Sequence, residues 1–232
     1  MDQLPLGLRL ADRAVFDTFW PQGNEQLLAQ LRAVAGGAVS GVTWIAGPHA
    51  SGKSHLLQAT CALVPAARRC GYFPLAGLLE LGPAALEGLP HLDLVCLDDV
   101  QFAAGSADWE RALFGLYREL EESGGSLVAA AAEAPGLIRW ELPDLASRFS
   151  AAAIHALRAL DEAGQREALM LRAKVRGFEL PEDVARWLQR RYPRDMGTLY
   201  QLLDTLDSAA LVAQRRLTLP FIRSVLLRRA QP

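Results

Sequence analysis

Lysine is nearly missing from this chain. Of its 24 lysines and arginines, only Lys53 and Lys174 are lysines. Cysteine is scarce as well, with three residues at 61, 70 and 96. An odd count without paired spacing argues against a disulfide framework, and no Cys-x-x-Cys of the metal-binding kind occurs. Cys61 and Cys96 lie in apolar runs and read as small core residues. A surplus of positive charge is also lacking, since the formal net charge is −2. A dedicated nucleic-acid surface needs cations to neutralise phosphates, so that class is disfavoured. No stretch of about 18 uncharged apolar residues is present, and none suggests a membrane span. The start of the chain has no basic segment leading into an apolar one, so no signal peptide is read. A soluble, cytoplasmic protein is the expectation.

What is there suits one compact domain with a small satellite: 232 residues, 51% of them apolar. From Val42 to Leu157 short apolar runs alternate with longer helical stretches. The runs are 42–46, 70–73, 92–97, 126–131 and 152–157, and they look like strands buried on both faces. Helix candidates fall at 52–64, 107–122 and 142–148. This alternation predicts a parallel sheet covered by helices. After Leu157 no strand pattern follows. Asp161 is placed to N-cap a helix to about 176, and Pro181 to open a second to about Arg191. Two more helices are read at about 195–214 and 219–227. The chain therefore reads as an α/β base, 13–158, followed by an all-α unit, 159–232, with a short lead at 1–12.

One of the two lysines sits in Gly47-Pro48-His49-Ala50-Ser51-Gly52-Lys53-Ser54. This is a phosphate-binding P-loop pattern, placed between a predicted strand and a predicted helix. Glycines let backbone N–H groups wrap phosphate oxygens closely, Lys53 reaches the outer phosphates, and the Ser54 hydroxyl holds Mg²⁺. The following helix adds its positive N-terminal end. His55, next in line, reads as packing within the helix and is grouped with the loop. Some 45 residues on, Leu94-Val95-Cys96-Leu97-Asp98-Asp99 is a buried strand ending in carboxylates. Asp98 would orient Mg²⁺ and its waters, and Asp99 stands where a base polarises an attacking water.

Two longer segments carry a resemblance. Leu97-Asp98-Asp99-Val100-Gln101-Phe102 looks like the Walker-B segment of the DnaA clade of AAA+ proteins. Leu142-Pro143-Asp144-Leu145-Ala146-Ser147-Arg148-Phe149 is similar to the box VII segment of the same clade. Within it, the chain most resembles the Hda type, with support from 18–21, 172–184 and 213–221. The resemblance implies an AAA+ P-loop base with a parallel five-stranded sheet, followed by a small helical lid. It implies binding of ADP or ATP with Mg²⁺, and it makes Arg148 an arginine finger acting in trans on a partner's nucleotide. DnaA carries a DNA-reading domain after the lid. This chain ends at Pro232, and direct operator binding is not expected.

Two positions depart from the family. Ala129 to Ala132 stand where a polar residue usually positions water, and Gly197 stands where the lid arginine is expected. Arg194, one helical turn away, is the candidate replacement. Both departures favour holding a nucleotide over turning it over, with weak or no intrinsic ATPase activity. In the lead, Gln3-Leu4-Pro5-Leu6-Gly7-Leu8 is similar to the peptide by which Hda-type proteins dock on the sliding clamp. Leu4, Leu6 and Leu8 would enter an apolar pocket while Gln3 bonds at its rim. Phe16 to Asn24 are read as adenine pocket or plain core, Trp187 and Leu188 as core, and the Arg190, Arg191 and Arg194 cluster as a solvated face or a contact with partner or DNA.

The resemblance implies a regulator of chromosome replication initiation. Its partners would be DnaA and the sliding clamp, the β subunit of DNA polymerase III, with DNA reached only through the clamp. It would stimulate hydrolysis of DnaA-bound ATP and so prevent re-initiation. A homodimer or higher oligomer is compatible, and no membrane is implied. An autonomous AAA+ ATPase, a loader or remodelling motor, is the alternative on the intact P-loop and aspartates. A small-metabolite kinase is disfavoured by the helical unit.

Overall fold

A computed structural model describes residues 14–193, 195–213 and 218–229. The segment with Gln3, Leu4, Leu6 and Leu8, and also Arg194, lies outside the described residues. The chain divides into two compact units, Met1–Arg158 and Ala159–Pro232.

The first unit runs α1 (Glu25–Ala35), β1 (Gly41–Ala46), α2 (Lys53–Leu63), β2 (Cys70–Pro74) and a short α3 (Leu75–Leu78). It continues with β3 (Leu94–Asp98), α4 (Ala107–Ser123), β4 (Ser126–Ala131), α5 (Pro143–Ser150) and β5 (Ala153–Ala156). All pairings are parallel, in the order β2-β3-β4-β1-β5. Strand β3 shows how the core is built. Val95 and Leu97 point into one apolar cluster with Trp44, Leu127 and residues of α4 and α5. Leu94 and Cys96 point into another with Ile45, Val128, α1 and α2. That period of two, apolar on both faces, marks a strand covered by helices on each side.

Two expectations change. The runs at 70–73 and 152–157 were expected to be buried on both faces, but they form the sheet edges. Strand β2 is half-buried throughout, and Ala153, Ile154 and Ala156 of β5 are exposed. An apolar run records residue type, and only the strand order decides which strands lack a second neighbour. Helix α1 was not anticipated. It buries Leu27, Leu28, Leu31, Val34 and Ala35, a helical stripe at i, i+1, i+4, i+7 and i+8.

The second unit is helical: α6 (Glu162–Val175), α7 (Glu182–Arg191), α8 (Met196–Ala213) and α9 (Leu219–Arg229). Asp161 caps α6 by accepting from the Gly164 amide at 2.7 Å. Asp195 caps α8 by accepting from the Thr198 amide at 2.8 Å. Leu169, Leu180, Val184, Leu188, Leu199, Leu203, Leu206 and Ile222 make its core. Arg172 of α6 and Arg176, which follows that helix, are mostly buried side chains that meet Asp204, and Arg172 also lies over the Tyr200 ring at 4.2 Å. Among the described residues no helix is long and apolar enough to cross a membrane.

Candidate functional site

Parallel strands deliver their C-terminal ends to one edge of the sheet, where ligands of such sheets are bound. Here that edge carries the P-loop after β1, Asp98 and Asp99 at the end of β3, and Ala131 and Ala132 at the end of β4. The register sets Ala46 beside Ala131 and Leu97 beside Ala129, so these ends lie level.

The P-loop backbone explains its glycines. Gly52 has φ +104, which an L side chain rarely adopts, and a Cβ there would stand 2.9 Å from the Phe19 ring. At Gly47 a Cβ would stand 3.0 Å from Ser51 Oγ and 3.1 Å from Leu157 Cβ. Ala50 is also left-handed, at φ 57. Lys53 is buried. Its ammonium donates to the Gly47 carbonyl at 2.8 Å and the Pro48 carbonyl at 2.9 Å, which leaves one of its three N–H groups. Ser51 Oγ is buried without a hydrogen-bond partner. Buried hydroxyls are normally partnered, so an oxygen-rich ligand at this loop fits the residues present. His49 and Ser54 are exposed. His55 instead faces the segment before α1: its Nε2 lies 3.0 Å from the Val15 carbonyl and 3.3 Å from Thr18 Oγ1, and its ring packs on Phe19.

At the end of β3, Asp98 is 2% exposed. Its Oδ2 accepts from the Tyr72 hydroxyl at 2.9 Å and its Oδ1 from the Asp99 amide at 3.0 Å. Burial raises its pKa and the Asp99 charge adds to that, against the lowering effect of the Ser54 and Tyr72 hydroxyls. Burial also pushes the Tyr72 phenol up, with the Asp98 charge second. P-loop Ser54 thus lies beside the hydrogen-bonded pair of the buried carboxylate Asp98 and Tyr72. If a nucleotide carried Mg²⁺ here, Ser54 and Asp98 would be the oxygen donors nearest it, and the ion would supply positive charge to the phosphates.

Asp99 is held in an unusual way. It is left-handed, at φ 55, and its Oδ1 accepts from the Gln101 side-chain amide at 3.2 Å. The Gln101 carbonyl in turn accepts from the Ala132 amide at 3.3 Å. The alanines of β4 cannot orient anything by side chain, as the sequence indicates. The Gln101 carboxamide nevertheless reaches the tip of β4 from the neighbouring loop. Neither Tyr72 nor Gln101 was identified from sequence. Both were legible only as flanking residues: Tyr72 alternates toward the P-loop on β2, and Gln101 lies two positions beyond Asp99.

Arg148 occupies the last turn of α5 and is exposed. Cations are favoured at a helix C-terminus. Its guanidinium lies over the Tyr117 ring of α4, 5.7 Å from the ring centre. Among the described residues no ion pair involves Arg148. Helix α5 is anchored from below by Leu145 and Phe149, both fully buried, with Phe149 packed on Trp44 and Trp140. Its start is held by buried Glu110, which accepts from the Leu142 amide at 2.6 Å and the Glu141 amide at 3.0 Å. This carboxylate also escaped the sequence reading, because Glu110 looks like an ordinary first-turn acid of α4.

Other positions resolve differently. Phe16 is core, 7% exposed, under the Arg32 guanidinium, while Phe19 is half-buried against the P-loop. Asn24 is buried and joins the chain ahead of α1 to the end of β5 through two bonds with the Arg158 backbone. In the helical unit Leu188 is core and Trp187 half-buried, with Tyr192, Arg191 and Arg223 around its ring. Gly197 sits in the first turn of α8 and is exposed.

Comparison with known proteins agrees with this architecture. Residues 152–226 match the family "Hda, lid domain". The chain is similar in structure to domain III of the Thermotoga maritima replication initiation protein DnaA. The TM-score is 0.77 at 23% identity, over 94% of this chain and 98% of that one. AMPPCP-bound DnaA from Aquifex aeolicus matches with a TM-score of 0.64 at 21% identity, over 79% of this chain. This chain spans 62% of that longer protein. Thermotoga maritima RuvB, a Holliday junction branch migration motor, matches at 0.66 and 16% identity, over 92% of this chain and 71% of that one. The fold is therefore that of AAA+ proteins such as DnaA and RuvB, a base with a five-stranded parallel sheet followed by a helical unit, and that unit matches the Hda lid family.

Proposed function

We propose that this chain is a nucleotide-holding regulator of replication initiation that completes the ATP site of DnaA with Arg148. The observation that carries the proposal is Arg148 itself. It is an exposed guanidinium at the rim of an AAA+ base, stacked on an aromatic ring and engaged in no ion pair among the described residues. A cation kept free of a carboxylate is suited to meet charge developing on another molecule's phosphoryl group. The Hda-type lid supports DnaA as that molecule.

In this reading the P-loop, Ser54 included, and the Asp98–Tyr72 pair hold ADP or ATP with Mg²⁺ and set the conformation of the base. Gln3, Leu4, Leu6 and Leu8 tether the chain to the sliding clamp, so that DNA is approached only indirectly. The reaction served is attack of water on the γ-phosphorus of DnaA-bound ATP, giving ADP and phosphate. Arg148 takes no proton and forms no bond. It lowers the barrier by opposing negative charge. The decisive experiment follows hydrolysis of labelled ATP on DnaA with clamp-loaded DNA present. Adding the chain should raise the rate, and adding a Gln3→Ala/Leu4→Ala variant should not, although that variant folds normally.

A second reading, an autonomous ATPase, is favoured by one observation: the Gln101 carboxamide sits at the tip of β4 and fixes Asp99. Steady ATP turnover by the chain alone, abolished in Asp99→Asn, would establish it over the first.

A further inference from the structure

We infer that Tyr117 is a positioning residue for Arg148, holding the guanidinium in place for a partner's nucleotide. The inference rests on the finger role proposed above and extends it to a residue that would touch neither nucleotide.

A four-bond arginine side chain on an exposed helix turn has many rotamers, and fixing it at the moment of reaction carries an entropic cost. Carboxylates usually fix such side chains, but one here would neutralise the charge that the reaction needs. The protein uses an aromatic face instead. Arg148 Cζ lies 5.7 Å from the centre of the Tyr117 ring, a distance at which the ring quadrupole attracts a cation without cancelling it. The ring is itself anchored. The Tyr117 hydroxyl donates to Glu121 Oε1 at 2.9 Å, one turn along α4, so the nearby carboxylate is bound by the phenol. The phenol responds to both neighbours: burial and Glu121 raise its pKa, whereas Arg148 lowers it. Helices α4 and α5, which carry the two residues, are joined at their N-terminal ends by buried Glu110. The ring and the finger are therefore set on one rigid frame.

The test measures hydrolysis of ATP on DnaA, with clamp and DNA present, for four variants: Y117F, Y117L, R148A and Y117L/R148A. Tyr117→Phe keeps the ring, and its maximal stimulated rate should stay within about twofold of the parent. Tyr117→Leu should lower the maximal rate by roughly three- to fivefold, the size of an exposed cation–π contact. The concentration giving half-maximal stimulation should not move. The double variant should be no worse than R148A, because Tyr117 acts only through the arginine. If leucine unfolds the helix, as seen by circular dichroism, Tyr117→Gln carries the same comparison. A full rate in Y117L beside a strongly impaired R148A overturns this inference alone. A further loss in the double variant overturns it too, by showing a separate structural role. An undiminished rate in R148A removes the finger, and the positioning role falls with it.

Discussion

Removing the Glu110 carboxylate tests how the frame of the site is held. Glu110 is fully buried and has no cation beside it among the described residues. It accepts from three backbone amides: Gly105 at 2.8 Å, Glu141 at 3.0 Å and Leu142 at 2.6 Å. Hydrogen bonds to a charged group contribute about 1.5–3 kcal/mol each, so the gross stabilisation is roughly 5–9 kcal/mol. Burying the carboxylate offsets several kcal/mol of this, and water would reach amides as exposed as Gly105. A net loss of about 2–4 kcal/mol on Glu110→Ala follows. Glu110→Gln is the more telling change. Its oxygen can keep Gly105 and Glu141, but its NH₂ group then faces the Leu142 N–H, donor against donor. We expect it to cost about 1–3 kcal/mol. Four of the five tryptophans, at 20, 44, 109 and 140, lie in the first unit, so urea melts by fluorescence report on the base. The midpoint should fall by roughly 1 M for the glutamine variant and 1–2 M for alanine, with little change in slope. Hydrogen exchange should quicken at Leu142. If Glu110→Gln is as stable as the parent or more so, the carboxylate is a buried liability, not an anchor, and the account of how α5 is placed is wrong.

Three further outcomes follow from the site. Asp98 has a raised pKa in the folded chain, so ionising it opposes folding. That penalty is absent below its unfolded pKa and complete once pH rises past the folded value. At neutral pH Asp98→Asn should therefore raise the melting temperature of the ligand-free protein while removing the Mg²⁺-dependent part of nucleotide affinity, measured by calorimetry. A lowered melting temperature would contradict this. Tyr72→Phe deletes a hydroxyl bonded to Asp98 and should weaken Mg²⁺-dependent nucleotide binding by about three- to tenfold, the equivalent of one hydrogen bond with a net value of about 1 kcal/mol; identical Mg²⁺ titrations would refute the link. Gln101→Leu should lower any intrinsic hydrolysis about tenfold or more and leave nucleotide affinity unchanged, as expected of a residue that acts through Asp99; equal loss of affinity would argue for a general collapse of the loop.

The sequence made the P-loop, the aspartate pair and the four helices of the lid legible for a physical reason. Each is written locally, in glycines that a tight loop requires, in carboxylates ending an apolar run, or in caps such as Asp161. What it hid depends on distance. Glu110 looks like any acid in a helix's first turn until α5 is brought against it, 32 residues further on. Gln101 gains its meaning only when β4 places Ala132 beside it, and Tyr72 only when β2 pairs with β3. The half-buried β2 and the largely exposed β5 differ from expectation for the same reason, since strand order is not a local property. The apolar stripe of α1 is local, in Leu27, Leu28, Leu31, Val34 and Ala35. Arg148 lies between these cases. Its segment marked it by resemblance, whereas its place over the Tyr117 ring, with no ion pair among the described residues, appears only in the fold.

The central claim is that hydrolysis takes place in a partner and depends on this arginine. The most direct measurement is single-turnover hydrolysis of radiolabelled ATP bound to DnaA, with clamp-loaded DNA and either the parent chain or Arg148→Ala. The parent should stimulate hydrolysis, and the variant should lower that stimulated rate by roughly a thousandfold or more, limited by the unstimulated background, as for loss of an arginine finger. The variant should bind ADP and the clamp as the parent does. Equal stimulation by Arg148→Ala would contradict the account.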